Sequence, residues 1–263
     1  MDEPVDGGCD TRLVSKPVVA IVVAAGIGSR YGGPTPKAIL KLTGRAVVGM
    51  SIEAMSAGGC THAVVVVNPK TADRFIKHLT GSPIPVVMTT GGASRQESVH
   101  RGLQAIMADP VLREAEIVLI HDAVRPMVPA HVVKDVIAKV HEGAVAVIPA
   151  VPVTDTIRMV DEDNNTVLIN RDSLRAVQTP QGFSLKVIWE CHEAVAGSER
   201  RFTDDASICE AMGHRAELVH GSRMGMKITE PADLTIARAL WKVRETLGHH
   251  SGRRVWRHWR HNG

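Results

Sequence analysis

The sequence predicts an α/β fold, a doubly wound, mainly parallel sheet with a protruding β-hairpin arm. Three observations predict it. Apolar runs alternate with helical patterns over the first 150 residues. Those runs are apolar throughout rather than at every second position, which marks strands covered on both faces and therefore a sheet between two helix layers. After Pro149 the rhythm breaks into two short extended segments around a turn, the pattern of a hairpin. Strand alternating with helix implies right-handed crossovers, a Rossmann-like layout in which ligands gather beyond the carboxyl ends of the strands.

The predicted strands are Val18–Ala25, Ala63–Asn68, Pro85–Thr90, Glu116–Asp122 and Ala144–Pro149, and the helices between them Arg45–Ala57, Thr71–Leu79, Arg95–Ala108 and Ala130–Glu142. In the third helix Val99, Leu103 and Ile106 fall at i, i+4 and i+7, one face of the cylinder. The hairpin runs over about 151–172 with its turn at Asp161–Asn165. A hairpin alone is marginal in water, so it needs the main domain or a partner subunit to lie on. Helices return at Ser184–Ala196 and Asp204–Met212, and a last one runs from Pro231, a favoured first-turn residue, to Leu247 before Gly248.

Composition narrows the function classes. With 44% hydrophobic and 22% charged residues the chain is an ordinary globular one, not a disordered one. Its longest uncharged apolar run, Val18–Ala25, is far short of the ~20 residues that span a bilayer. The N-terminus is acidic (Asp2, Glu3, Asp6, Asp10), unlike a signal or transit peptide. Cys9, Cys60, Cys191 and Cys209 form no Cys-x-x-Cys pair, which suggests neither zinc nor a disulfide framework and fits a cytoplasmic location. The net charge of +3 comes from the tail. Residues 248–263 hold four Arg and no Asp or Glu, and without them 27 basic residues face 28 acidic ones. A nucleic-acid partner is therefore not expected of the body. The tail, with Trp256 and Trp259 among Arg and His, reads as a flexible basic extension or a nucleic-acid contact.

Six segments carry chemistry. The first strand runs into Ala24-Ala25-Gly26-Ile27-Gly28-Ser29-Arg30, where small residues let backbone N–H groups approach phosphates. Tyr31 breaks the dinucleotide pattern G-x-G-x-x-G, and no Gly-Lys pair supplies a Walker loop. What remains, a Gly-rich turn with Arg30 and Lys37, suits a triphosphate, whose transition-state charge calls for cations placed in advance. Gly91-Gly92-Ala93-Ser94-Arg95-Gln96-Glu97-Ser98 repeats the strand–turn–helix logic and also reads as a capping box of Ser94 and Glu97. In His121-Asp122-Ala123-Val124-Arg125, Asp122 is positioned as a Mg²⁺ ligand and Arg125 as a phosphate contact, while His121 is either a general base or a structural hydrogen-bonding group. The hairpin carries Asp155, Thr156, Arg158 and Arg171, followed by Gln178-Thr179-Pro180-Gln181. Thr203-Asp204-Asp205-Ala206 reads as a helix cap whose hydroxyl end can also face a ligand. Lys227, alone in an apolar stretch before Ile228-Thr229, is a snorkelling charge or a phosphate contact.

Taken in order from about Val18 to Leu240, these segments resemble the 2-C-methyl-D-erythritol 4-phosphate cytidylyltransferase family. The resemblance implies transfer of cytidylate from CTP to a polyol phosphate with Mg²⁺ as cofactor and pyrophosphate leaving, without a covalent enzyme intermediate. It implies that Arg30 and Lys37 stabilise the transition state and that Gly26 and Gly28 contact the triphosphate. Ala24, Ala25, Gly92, Arg95 and Ser98 would surround cytidine, with Asp122 on the metal or the ribose side. Ala123, Arg125, Thr156 and Thr203 would contact the polyol phosphate, with Arg171 and Lys227 orienting it for attack. It further implies a homodimer in which the arm, and with it Thr156 and Arg171, serves the neighbouring subunit. The domain plan is then a flexible extension over 1–16, a nucleotidyltransferase domain over 17–247 with the arm within it, and the tail over 248–263. Ala38, Val124, Tyr31 and the Ala93-Ser94 pair depart from the family's usual residues without removing a charge the chemistry needs. Two other readings stay open: a related cytidylyltransferase for a polyol phosphate such as ribitol 5-phosphate, and a non-catalytic nucleotide-binding module.

Overall fold

The continuous apolar runs become the centre of one eight-stranded sheet. The computed structural model describes residues 16–26, 35–198 and 200–250. Gly28, Arg30, most of the N-terminal extension and the tail beyond His250 lie outside the described residues. In chain order the elements are β1 (Val18–Ala24), β2 (Lys41–Leu42), β3 (Arg45–Ala46), α1 (Val47–Ala57), β4 (His62–Val67), α2 (Asp73–Leu79), β5 (Val86–Thr90), α3 (Arg95–Ala108), β6 (Ile117–Asp122), α4 (Ala130–His141) and β7 (Ala146–Pro152). Then come β8 (Ile157–Val160), β9 (Thr166–Ile169), β10 (Arg175–Val177), β11 (Gln181–Ser184), α5 (Leu185–Ala194), α6 (Asp205–Ala211), β12 (Ala216–His220) and α7 (Pro231–His250).

Strand β1 pairs in parallel with β4 on one side and β6 on the other, and β5 extends the sheet beyond β4. The pleat divides these strands between two cores. Ala20, Val22, Val65 and Leu119 pack with α1 and α4, whereas Ile21, Val64, Val66 and Ile120 pack with α3, α5 and α6. Both sides are buried, so polar residues in these strands are confined to their ends, His62 opening β4 and His121 and Asp122 closing β6. That is why chemistry-bearing residues collect at the strand ends. Strand β5 is the exception. It forms the edge, and Val87 and Met88 are more than one-third exposed, so its expected cover on both faces is incomplete.

The sheet is more mixed than the sequence pattern suggests. β11 inserts antiparallel between β6 and β7, β10 pairs antiparallel with β7, and β12 returns parallel to it. A cis Thr179–Pro180 bond lies between β10 and β11. The hairpin arm is found as expected. Among the described residues β8 and β9 pair with each other and with no strand of the main sheet. Asp161 Oδ1 accepts from the backbone N–H groups of Asp163 and Asn165, closing the turn in which Asn164 has positive φ. Helix α1 starts two residues later than expected, because Arg45 and Ala46 pair with Leu42 and Lys41 in a small hairpin turned at Thr43 and Gly44, both at positive φ. Helix α7 continues past Gly248 to His250.

Candidate active site

Four parallel strands end at one cavity of about 820 Å³. Ala24, Ala25 and Gly26 line it from the end of β1, and Asp122 from the end of β6. Gly92, Arg95 and Ser98 line it from the turn after β5, and Lys37 and Lys227 from two separate loops. Lys70 and Asn68, after β4, also line it and were missed in the sequence. The signal was available, since they stand just beyond a strand's carboxyl end, where ligands of doubly wound sheets gather.

The turn after β5 is built by its own hydrogen bonds. Ser94 Oγ accepts from Glu97 N, and Glu97 Oε2 accepts from Ala93 N. Ser94 is thus the expected N-cap, while the Glu97 carboxylate reaches one residue beyond the capping-box partner, to Ala93 N, and the turn still lies in the cavity wall. Ser98 Oγ accepts from Gly92 N at 3.1 Å and donates to Ser94 O at 2.8 Å. Its hydroxyl braces the loop. A Cβ on Gly91 would stand 2.5 Å from Ala25 Cβ and 2.7 Å from Ser98 Oγ, so only glycine lets the two loops meet here.

Asp122 is the electrostatic centre. Lys227 Nζ lies 2.9 Å and Arg125 Nε 3.4 Å from its Oδ2, and Arg95 Nε 3.6 Å from its Oδ1. Burial pushes the Asp122 carboxyl up, but Lys227, Arg95 and Arg125 outweigh it and hold the group well below the usual carboxylate range. Burial lowers the Arg125 pKa against the pull of Asp122, and its Nη1 donates to Gly225 O at 2.7 Å. An expected Mg²⁺ would have to compete for this carboxylate. Both carboxylate oxygens already face cations, and a divalent ion would have to displace them. Among the described residues no three His, Cys, Asp or Glu side chains cluster for a metal.

The lone Lys227 reaches the cavity because its neighbour is anchored. Ile228 is fully buried against Leu42, Val47 and Met127, and its N–H donates to Val124 O at 2.9 Å. Lys227, beside Ile228, faces the cavity. Lys37 Nζ donates to Thr229 O at 3.2 Å, and Asp233 Oδ2 accepts from the N–H groups of Thr229 and Glu230 at the start of α7. Lys37 and Lys227 are thus fixed by the same short segment.

His121 is structural. It is fully buried, with Nε2 3.2 Å from Arg125 O and Nδ1 3.0 Å from Thr179 Oγ1. Nε2 faces a carbonyl and so carries the proton, burial keeps the ring neutral, and Nδ1 therefore accepts from Thr179, whose oxygen also accepts from Asp122 N. Burial pushes its pKa down to about 4. The ring orients the Asp122 backbone and is not available as a base.

Four expected substrate contacts and one orienting residue lie away from this cavity wall. Ala123 is buried, with its carbonyl accepting from Ser51 Oγ. Arg125 stands behind Asp122. Thr203 is exposed just before Asp204, the N-cap of α6. Thr156 and Arg171 belong to the arm, where Arg171 Nη1 donates to Thr154 O at 2.5 Å.

With this geometry in hand, similarity to known proteins decides the family. The model of 2-C-methyl-D-erythritol 4-phosphate cytidylyltransferase (IspD) matches residues 18–243. The chain belongs to that family. It is 41% identical to the 2-C-methyl-D-erythritol 4-phosphate cytidylyltransferase of Frankia casuarinae over 87% of this chain and 82% of that one. It is 39% identical to that of Corynebacterium glutamicum, over 85% and 92%. Among solved structures, the 4-diphosphocytidyl-2C-methyl-D-erythritol synthase of Anaerococcus prevotii superposes with a TM-score of 0.74 at 28% identity, covering 86% of this chain and 99% of that one. The Thermus thermophilus 2-C-methyl-D-erythritol 4-phosphate cytidylyltransferase gives 0.67 at 30% identity, covering 84% and 98%. No helix among the described residues is long and apolar enough to cross a membrane.

Proposed function

We propose that the chain joins CTP to 2-C-methyl-D-erythritol 4-phosphate, giving 4-diphosphocytidyl-2-C-methyl-D-erythritol and pyrophosphate. A phosphate oxygen of the polyol substrate attacks the α-phosphorus of CTP in line. The bond from that phosphorus to the bridging oxygen breaks, and pyrophosphate carries the electron pair away. Two polyanions must meet, so the task is positioning and charge neutralisation. The observation that carries this reading is the row of cations on the cavity wall: Lys37, Lys227 and Arg95, with Asp122 holding the last two.

In this reading Lys37, with Arg30, meets charge that grows on the α-phosphate and the leaving group. Gly26 and Gly28 contact the triphosphate through their backbone N–H groups. The cytidine lies against Ala24, Ala25 and Gly92, with Arg95 at its edge. Lys227 moves from Asp122 towards the incoming phosphate. Asp122, released as Lys227 turns to phosphate, is the carboxylate that would hold a Mg²⁺ arriving with the triphosphate, and the ion would neutralise phosphate charge there.

Arg171, Thr156 and the arm complete the site of a second subunit in a homodimer. The support is that among the described residues β8 and β9 pair only with each other, and that Met159, Val160, Val167 and Leu168 are each more than half exposed. A cytoplasmic location fits the free buried thiols of Cys60, Cys191 and Cys209. The test is pyrophosphate release with CTP and a panel of polyol phosphates. Turnover with 2-C-methyl-D-erythritol 4-phosphate far above that with ribitol 5-phosphate supports the proposal, and the reverse order moves the chain to the related activity. Nucleotide binding without turnover on any of them would make it a binding module.

A further inference from the structure

Arg95 is the first residue of α3, where the helix dipole disfavours a cation. Two carboxylates compensate. One is Asp122 in the cavity. The other is Asp205, which is fully buried behind the cavity wall, with its Oδ2 2.7 Å from Arg95 Nη2. Asp205 opens α6, where the dipole favours an anion, so two helix N-termini meet through one ion pair. The pair is close but off the angle of a directed hydrogen bond.

The surroundings of Asp205 are built to hold it. Gln181 Oε1 accepts from the N–H groups of Asp205 and Ala206, and Gln181 Nε2 donates to Asp204 Oδ2 at 2.7 Å. Behind Asp205 stands His192 of α5, also buried, with Nε2 3.4 Å from Asp205 Oδ1 and neither ring nitrogen hydrogen-bonded among the described residues. His100 stacks on it at 6.1 Å, and His100 Nε2 is 2.6 Å from Glu193 Oε1. A buried carboxylate, a buried imidazole and a guanidinium form a row from α5 to the cavity. Burying these groups costs desolvation that their attraction must repay, and an apolar filling would pack the same space more cheaply.

We propose that Asp205, backed by His192, is a positioning residue for nucleotide binding: it fixes the Arg95 guanidinium at the cavity wall against the pull of Asp122 and of the incoming triphosphate. This rests on the reading of the cavity as the CTP site. Without Asp205, Arg95 swings onto Asp122, competes with Lys227 for it and leaves the cytidine side of the cavity. Asp205 touches no substrate and acts only through Arg95.

The experiment compares Asp205→Asn, His192→Leu, Arg95→Met and the double variant Asp205→Asn/Arg95→Met as full-length protein. CTP binding is read by titration calorimetry, and both KM values and kcat by pyrophosphate release. Asp205→Asn is expected to weaken CTP binding and raise the CTP KM about tenfold, with the polyol-phosphate KM and kcat changed only a few-fold. His192→Leu, which leaves the ion pair in place, shifts the same quantity less. The double variant binds CTP no worse than Arg95→Met alone, because residues acting in series are not additive. Additive losses in the double variant, or equal losses for both substrates in Asp205→Asn and none in His192→Leu, overturn the proposal. Should Asp205→Asn not fold, no CTP shift in His192→Leu overturns it alone. Wild-type protein that binds no CTP by calorimetry would instead remove the reading of the cavity itself.

Discussion

Lys227 Nζ sits 2.9 Å from Asp122 Oδ2, and the same oxygen is 3.4 Å from Arg125 Nε. One carboxylate therefore restrains two cations, while its other oxygen faces a third, Arg95, at 3.6 Å. Asp122 keeps like charges together in a partly dry cavity until a polyanion replaces it as their counter-charge.

Asp122→Asn should separate binding from turnover. Without the carboxylate the cations repel one another, so the empty protein loses stability. Inorganic tripolyphosphate then has no internal competitor and binds more tightly. Turnover falls on the order of 10²-fold because Lys227 is no longer aimed, a loss typical of a displaced electrostatic contact. Tripolyphosphate titration and steady-state kinetics check both halves. Weaker tripolyphosphate binding in the variant would show that Asp122 contributes to affinity rather than restraining it.

Lys37→Ala should lower kcat by roughly 10²–10³ while CTP binding weakens much less, since the ammonium meets charge present mainly in the transition state. Its anchor to Thr229 O predicts a second effect. Asp233→Ala frees the Thr229 and Glu230 N–H groups and loosens the segment that holds both lysines. A smaller kcat loss of the same kind should follow. Turnover of Lys37→Ala within a few-fold of wild type would remove it from the catalytic set.

The arm should work in trans. Lys37→Ala and Arg171→Ala are each expected to be nearly inactive alone. Mixed dimers of the two would hold one site with neither lesion and recover up to about half of wild-type activity per hybrid, the share set by two sites in a closed dimer. Sedimentation verifies the dimer and pyrophosphate release reads the recovery. Verified hybrids that stay inactive would assign Arg171 to its own subunit.

The sequence shows the frame of this molecule more readily than its supports. β1, β4 and β6 are legible because a strand buried on both faces can hold little but Val, Ile, Leu and Ala. Lys37, Arg95, Asp122 and Lys227 are legible because each is a charge beside a strand end or within an apolar stretch. β10 and β11 are not, since Gln178, Thr179 and Gln181 read as loop. They are buried because distant groups satisfy them: Gln178 Nε2 donates to Ser222 O, and Gln181 holds the start of α6. Asp205 reads as an ordinary helix-start acid for the same reason. Its partner Arg95 opens α3, and six strands and two helices separate that helix from α6 in the chain, so local pattern carries no trace of it. His121 was ambiguous until Arg125 supplied the carbonyl that fixes its tautomer.

That histidine gives stability a pH dependence of known sign. Burial holds its folded pKa near 4 against an ordinary 6.5, with Asp122 pulling up and Arg125 pushing down. Below pH 6.5 the unfolded chain takes up a proton here that the folded chain refuses until about pH 4. Its contribution is therefore complete above about 6.5 and is lost as pH falls towards 4, up to about 3 kcal/mol in all. His121→Gln keeps the shape of the network, since the amide can donate to Arg125 O and accept from Thr179, but it does not titrate. Urea unfolding at pH 7.5 and 4.5 is the measurement. Wild type should lose about 2 kcal/mol more than His121→Gln between the two. Carboxylates titrating in the same range affect both proteins alike and cancel in the difference. Equal losses in the two proteins would mean that His121 is protonated in the fold, and the neutral tautomer that orients Asp122 would be wrong.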